Sequence, residues 1–236
     1  MKKQRFINIV LLAGGIMSKV LVALGYDTEA PYGEHAKTPE GRVLQRKNLE
    51  MVAALNALFD NEHIPRTHFV LGNWLEQCVA SFGEEEVHEY FPRTNPILEV
   101  QQHSYSHLTF KDIPGQPNRK NVSLDEFAKD VEKAQSVIKG FLGVEPIGLR
   151  IPVGYLGDLS DVPALLPKLW AAGIRYVSSD LRGRENSYCP EVAFDRQPHT
   201  YMLSGFPFLV EVPSHGWQDT AFMAEKIKQA MNRDSP

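Results

Sequence analysis

Short apolar segments alternate with amphipathic segments along this chain, and the alternation strongly constrains the fold. The strand candidates are 20–26, 67–71, 97–102, 147–151, 174–178 and 208–212. The helix candidates are 42–59, 123–141, 163–172 and 220–231. Short apolar strands joined by helices are typical of mainly parallel sheets that are buried on both faces. The pattern predicts one α/β domain, barrel-like or open, with its chemistry at the carboxyl ends of the strands.

Composition excludes several classes of protein. With 43% hydrophobic and 23% charged residues, the 236-residue chain is neither a disordered protein nor a membrane bundle. Its net charge of −4 argues against a broad nucleic-acid-binding surface. The two cysteines, Cys78 and Cys189, have no metal-type spacing, which excludes a disulfide scaffold and a cysteine-based zinc site. We therefore expect no nucleic-acid partner and no integral membrane span.

The N-terminal segment has two interpretations. Residues 1–16 have a basic start and an apolar run that suits a signal peptide and is too short to span a membrane. No clear small-x-small cleavage site follows, and Met17 is an alternative natural start. We interpret residues 1–16 as a signal-like or spurious extension and residues 17–236 as a single barrel domain. The default location without a cleaved signal is the cytoplasm, which we favour over export.

Two polar clusters follow predicted strands and contain metal-ligand side chains. Asp27 and Glu29 end the first strand, and His103 and His107 come directly after the third. If the second cluster forms a helix, its histidines lie one turn apart on one side. One carboxylate and two imidazoles make a three-ligand site with an open position for water, as in catalytic zinc centres. Taken singly, the acids also fit a solvated turn and the histidines a surface pair.

A third cluster supplies a cation beside these acids. Arg150 ends the fourth strand and is followed by Pro152 and Gly154, which would shape a fixed loop. An arginine there can pair with a carboxylate and hold it ionised, although a purely structural salt bridge is the alternative. Taken together, the three clusters suit hydrolysis of an amide or ester, because a metal activates water and a second carboxylate accepts its proton.

These motifs resemble carbohydrate esterase family 4, the NodB-like polysaccharide deacetylases. The segment His103–His107 matches the family's His-(Ser/Thr)-x-x-His motif, and Arg150–Pro152 matches its Arg-x-Pro motif. The resemblance covers roughly residues 18–217. It implies a distorted (β/α)7-like barrel of the polysaccharide deacetylase type. It also implies a metal-dependent hydrolase of carbon–nitrogen bonds that removes an acyl group, in the first place acetyl, from an N-acylated sugar or polysaccharide.

The resemblance also implies roles for individual residues. Asp27 matches the catalytic base, Arg150 the residue that positions it, and the amide of Val153 the oxyanion donor. The expected ion is zinc, with cobalt, nickel and manganese as alternatives. Tyr155 and Trp217 are predicted to line the substrate pocket. The metal ligands would be Glu29, His103 and His107.

The chain departs from the family pattern at both ends of the site. Thr28 separates the two acids, which are adjacent in most members, and divergent branches with Asp-x-(Asp/Glu) make Glu29 our candidate third ligand. At the other end, the final strand with its Leu-x-His motif is not obvious, and His215 after the sixth strand is our candidate general acid. The segment ending in Asp180 resembles the strand-end sequence of related branches.

The other histidines and two rival functions complete the expectations. We assign the remaining histidines to background positions in loops, helices and connections. One rival is a deformylase or cyclic-amide hydrolase of the same fold, and some relatives of that kind bind no metal. The other rival is a non-catalytic homologue that binds a glycan. The sequence does not determine the oligomeric state.

The five histidines assigned to background positions are His35, His63, His68, His88 and His199.

Overall fold

A seven-stranded sheet organises the chain in this computed structural model, which describes residues 8–9, 20–21, 23–113, 118–181 and 197–214. The strands of the sheet are β3 (Gly25–Thr28), β4 (Arg66–Val70), β5 (Leu98–Gln102), β6 (Gly148–Tyr155), β7 (Tyr176–Asp180), β8 (His199–Tyr201) and β9 (Phe206–Glu211). Their order is β3-β4-β5-β6-β7-β9-β8, and every neighbouring pair is parallel except β8 with β9. The mainly parallel α/β architecture is confirmed. Within the described residues, β3 and β8 each have one neighbour, so the sheet is open there.

Helices connect most of the parallel strands. The predicted capping box begins the helix Leu124–Leu142: the Ser123 hydroxyl accepts from the Glu126 amide, and the Glu126 carboxylate accepts from the Ser123 amide. None of the helices in the described part is long and apolar enough to cross a bilayer. The helices are α1 (Gly33–Ala36), α2 (Pro39–Asn61), α3 (Gly72–Phe82), α4 (Glu84–Tyr90), α5 (Leu124–Leu142) and α6 (Leu166–Ala171), with 3₁₀ turns at Pro163–Leu165 and Met202–Ser204.

Two apolar clusters hold the sheet and helices together. One includes Leu49 of α2, Leu75 of α3 and Val100 of β5. The other includes Phe127 of α5 and Leu149 of β6. Because this packing fixes the parallel strands in register, their carboxyl ends lie along one edge of the sheet. Residues that follow different strands are thereby brought close together.

Two predicted strands differ from the observed ones, and one observed hairpin was not predicted. The predicted strand 20–26 is divided into β2 (Val20–Leu21), which pairs antiparallel with β1 (Asn8–Ile9), and β3. The predicted strand 147–151 continues to residue 155 through a bulge, as the register changes from Arg150 opposite Ser178 to Tyr155 opposite Asp180. The β8–β9 hairpin was not predicted. A turn at Gly205, with φ of 75°, reverses the chain there.

His68 lies inside β4, within the strand predicted at 67–71. It is 1% exposed, and its ring nitrogens lie 3.1 Å from the Thr28 hydroxyl and 3.1 Å from Oδ1 of Asn56. Burial, aided by the charge of Arg66, lowers the pKa of His68 from 6.5 to about 4. The imidazole is therefore neutral in the folded protein at neutral pH.

The depressed pKa of His68 predicts a loss of stability in acid. Between pH 6.5 and about 4 the unfolded chain protonates this histidine and the native protein does not, so its contribution to stability is lost as the pH falls. The expected loss is about 3 kcal/mol. Urea denaturation from pH 7 to 4 should therefore show a steeper decline for the native protein than for His68→Gln, which cannot titrate there. If the free energy of unfolding declines equally with pH in the native protein and in His68→Gln, the prediction is wrong.

Candidate metal centre and active site

Glu29, His103 and His107 converge at the carboxyl ends of β3 and β5. Glu29 Oε2 lies 3.2 Å from Nε2 of His103 and 2.9 Å from Nε2 of His107. The three prospective ligand atoms all lie within 4.8 Å of one another. His103 is fully buried, whereas about a third of the Glu29 side chain is exposed, at 30%. The structure thus brings together the three side chains that the sequence analysis selected as ligands.

The two histidines meet through a loop and not through the helical turn expected from their spacing. No residue from 103 to 110 is helical. Ser104 and His107 have φ angles of 64° and 58°, in the left-handed region that interrupts a right-handed helix. The loop nevertheless folds back so that the ring centroids of His103 and His107 are 5.1 Å apart. The convergence of the imidazoles was predicted correctly and its backbone geometry was not.

Two helices hold this loop in place. Oδ2 of Asp130, on α5, accepts hydrogen bonds from the amides of Tyr105 at 2.9 Å and Ser106 at 3.0 Å. The amides of Gly72 and Asn73, in the first turn of α3, donate to the carbonyls of Ser104 and Tyr105. The first amides of a helix have no partner within it, so these bonds satisfy groups that would otherwise be unpaired.

Removal of the Asp130 carboxylate should destabilise the protein strongly. Asp130 is buried, and Asp130→Ala would leave two loop amides without their charged acceptor. We expect a loss of about 3 kcal/mol in the free energy of unfolding, measured by urea denaturation. Asp125→Ala, at an exposed ion pair on the same helix, is the matched control and should cost far less. Equal losses in the two variants would argue against this anchoring role.

The hydrogen bonding of His103 leaves a ring nitrogen available for a cation. Its Nδ1 lies 2.8 Å from the carbonyl oxygen of Arg150, which can only accept, so Nδ1 carries the proton and the Nε2 lone pair faces Glu29. Glu29 Oε2 is buried and receives no hydrogen bond of ordinary geometry. A cation between these atoms would satisfy both. A carboxylate with two imidazoles, one of them oriented by a carbonyl, suits zinc.

The charges in the site are strongly coupled. Burial alone would raise the pKa of Glu29, but His103 and His107 outweigh it and hold that pKa well below its ordinary value. Burial alone would lower the pKa of His103, but the carboxylates of Asp27 and Glu29 outweigh it and raise that pKa. Protons and a metal ion therefore compete for the same imidazole, so metal affinity should decrease in acid.

Asp27 and Arg150 form an ion pair beside this group. Arg150 Nε lies 3.5 Å from Asp27 Oδ1, and its guanidinium lies 4.6 Å from the centroid of the Phe69 ring. Gly25 makes room for this arrangement, since a Cβ there would lie 2.8 Å from Arg150 Nη2 and 2.7 Å from Phe69 Cε2. The guanidinium is thus held between β3 and an aromatic ring, where it can orient the Asp27 carboxylate.

The backbone at Val153 is strained. Val153 has a φ of 59° and Gly154 a φ of 58°. A β-branched residue rarely adopts this conformation, and such strain is concentrated at functional sites. The bulge between Arg150 and Tyr155 imposes it by inserting extra residues opposite β7. The strained position is the one at which the sequence analysis placed the oxyanion donor.

The other predicted site residues lie elsewhere. Tyr155 is 2% exposed in the apolar core, where burial raises the pKa of its phenol to about 12 and its hydroxyl accepts from the Phe110 amide at 3.4 Å. It supports the fold there and does not line an open pocket, contrary to expectation. His215 and Trp217 lie outside the described residues, as do Cys189 and the predicted helix 220–231.

Two polar groups at the same edge of the sheet were missed. Glu211 is fully buried and accepts from the amides of Ser179 and Asp180 and from the hydroxyls of Ser179 and Tyr201. It thereby joins the ends of β7, β8 and β9. His199, assigned to the background, begins β8. The missed signal is the turn at Gly205, which directly precedes the apolar segment predicted as the strand 208–212 and so indicates a hairpin.

An ion pair between His199 and Asp158 was also missed. His199 Nε2 lies 2.8 Å from Oδ2 of Asp158, in the segment that follows β6. Burial alone would lower the pKa of His199, but Asp158 outweighs it and raises that pKa. The pair connects the β8–β9 hairpin to the segment after β6.

Several solved structures resemble the chain. An inferred polysaccharide deacetylase from Mycobacterium smegmatis is 18% identical, with a TM-score of 0.47, over 81% of this chain and 57% of that one. A family 4 carbohydrate esterase from Streptomyces lividans, in complex with acetate, is 18% identical, with a TM-score of 0.39, over 66% and 60%. A family 4 pseudoenzyme from Bacillus anthracis is 16% identical, with a TM-score of 0.42, over 90% and 60%. The chain spans less than two thirds of the length of each of these three proteins.

A family model gives a more direct assignment. No curated protein matches the chain significantly. The model for polysaccharide deacetylases matches residues 30–165, more than half of the chain. The matched segment includes His103, His107 and Arg150 and begins directly after Glu29. By this match, the chain belongs to the polysaccharide deacetylase family.

Proposed function

We propose that this protein is a metal-dependent hydrolase that removes an N-acyl group from an N-acylated sugar or polysaccharide. Acetyl is the acyl group that we expect first. The observation that carries the proposal is the convergence of Glu29, His103 and His107 on one point. The ion pair of Asp27 with Arg150 beside them supplies the second carboxylate that amide hydrolysis requires. Family membership supports the choice of an N-acylated carbohydrate as the substrate.

The metal would be held by the carboxylate of Glu29 and the Nε2 atoms of His103 and His107. When bound, a divalent ion there would lower the pKa of a water ligand and polarise the acyl carbonyl. Zinc is the ion we propose, because borderline divalent ions favour imidazole and carboxylate together. Cobalt, nickel and manganese are alternatives that the same ligands would accept.

The protein's own groups would move the proton and orient the reactants. Asp27 Oδ would accept the proton of the attacking water, since Arg150 pairs with this carboxylate and orients it. The strained backbone at Val153 would direct its amide towards the oxyanion of the tetrahedral intermediate.

The leaving amine requires a proton from a general acid. His215 is our candidate, because the amide of the preceding Ser214 donates to the Asp180 carbonyl at the carboxyl end of β7. The last described residue before His215 thus lies at the edge of the sheet where the other site residues lie.

Metal analysis combined with a release assay tests the proposal. Purified protein would be incubated with N-acetylglucosamine oligomers, peptidoglycan fragments and formylated sugars, and both acetate and formate would be measured. We expect acetate release that a chelator abolishes and added zinc restores. Formate release without bound metal would instead indicate the deformylase-type alternative. Glycan binding without turnover would indicate a non-catalytic homologue.

A further inference from the structure

Thr28, the residue that separates the two acids, points away from the metal centre. Side chains alternate along a strand, so Asp27 and Glu29 share one side of β3 and Thr28 takes the other. The exposed fraction of Thr28 is 3%, and its hydroxyl lies 3.1 Å from Nδ1 of His68 on β4. The unusual spacing of the acids thus places a hydroxyl in the core between two residues of the site.

The direction of the hydrogen bonds beyond Thr28 follows from fixed donors. Nδ2 of Asn56 donates to the Tyr90 carbonyl at 2.8 Å, which identifies the other amide atom as Oδ1. Nε and Nη2 of Arg66 donate to that oxygen at 3.1 and 2.9 Å. The oxygen can only accept, so the His68 Nε2 atom 3.1 Å away must carry a proton.

Thr28 is therefore the donor at the end of this chain of hydrogen bonds. A neutral His68 protonated on Nε2 has a lone pair on Nδ1, and the Thr28 hydroxyl must donate to it. At the opposite end, Arg66 Nη1 donates to Asp60 at 2.6 Å, and Asn95 donates to the same carboxylate oxygen at 2.9 Å. Each group has one role, so the network specifies a single arrangement.

This hydrogen-bond network lies at the end of β3, where the strand stops pairing with β4. Thr28 is the last residue of β3, opposite Val70, and its carbonyl accepts from the Leu71 amide at 3.0 Å. Glu29, the prospective ligand, comes directly after the end of the strand. The position of its carboxylate therefore depends on how firmly Thr28 is held.

We propose that Thr28 and His68 are positioning residues that hold Glu29 in place for the metal ion. This inference rests on the metal site of the proposed function. The Thr28 hydroxyl fixes its own rotamer against the rigid imidazole, and the backbone of Glu29 follows from that anchor. Groups that orient metal ligands in this indirect way typically change metal affinity about 10- to 100-fold when they are removed.

Zinc affinity measured by competition with a chromophoric chelator tests the inference. Thr28→Val keeps the shape of the side chain and removes the hydroxyl, and we expect its zinc dissociation constant to rise about 10-fold or more. Thr28→Ser keeps the hydroxyl and should stay within about twofold of the native value. If Thr28→Val does not fold, Thr28→Ala removes the same hydroxyl with a smaller side chain.

A core variant separates positioning from general loss of stability. Val52→Ala opens a cavity in α2, outside the hydrogen-bond network, and should lower the free energy of unfolding without changing zinc affinity. Unchanged zinc affinity in Thr28→Val would overturn the inference and leave the metal site standing. The inference would also be overturned if zinc affinity decreased as much in Val52→Ala as in Thr28→Val. If the native protein binds no zinc, the inference and the proposed function both fail.

Discussion

His103→Ala should abolish stoichiometric zinc binding and reduce N-acyl hydrolysis to background. His103 is 1% exposed, and its Nδ1 is committed to the Arg150 carbonyl, so its Nε2 is oriented towards Glu29 before any ion binds. Without it, Glu29 and His107 are the two remaining ligands. We expect zinc affinity to decrease by more than about 100-fold, beyond the effect of removing a group that only orients a ligand.

The loss should be specific to this imidazole. Bound zinc per chain and acetate release would be measured in parallel for native protein, His103→Ala and His63→Asn. His63 is an exposed histidine with a φ of 55°, which asparagine tolerates well, so the control removes an imidazole without straining the backbone. We expect the control to match the native protein. Full turnover by His103→Ala after chelation would refute a metal-dependent mechanism.

The composition of the site could be predicted because parallel strands bring their carboxyl ends to one edge. Glu29 and His103 are 74 positions apart, but each follows a strand, and β3 and β5 both flank β4. Strand-end location and ligand chemistry therefore selected the two histidines and one of the two acids as ligands, and the resemblance to carbohydrate esterase family 4 made Glu29 the candidate third ligand. The resemblance likewise matched Arg150 to a residue that positions Asp27, and the structure shows that ion pair at 3.5 Å.

Local geometry could not be predicted, because it depends on partners distant in sequence. The segment after β5 has helical histidine spacing, but the Asp130 carboxylate, 25 residues from Tyr105, stabilises a loop instead. Sequence patterns give no direct information about such a contact. Tyr155 was expected in the pocket because it follows the Arg-x-Pro motif, yet the bulge in β6 places it in the core.

The importance of Thr28 and His68 was missed for a related reason. Forty residues separate the two side chains, and their pairing requires β3 and β4 to be parallel in one particular register. A lone histidine in an apolar strand usually indicates a hydrogen-bonded core residue, and His68 is one. Its relation to the metal site appears only because its partner lies between two acids of that site.

Asp27→Asn should separate catalysis from metal binding. Asparagine has nearly the shape of aspartate, so the packing around Arg150 should persist, but its amide cannot accept a proton from the attacking water. Positioned general bases typically contribute about 10²- to 10⁴-fold to a rate, and we expect kcat/KM to fall within that range. Bound zinc should be unchanged, because the prospective ligands are Glu29, His103 and His107.

The distinction from His103→Ala is the critical comparison. Both variants should lose turnover, but Asp27→Asn alone should retain a full complement of zinc and bind substrate with a KM close to the native value, since Asp27 acts on the reacting water. Asp125→Asn, at an exposed ion pair on α5, is the matched control and should retain native turnover. If Asp27→Asn keeps turnover within about tenfold of native, Asp27 is not the general base. In that case the proton must be accepted by a group other than Asp27.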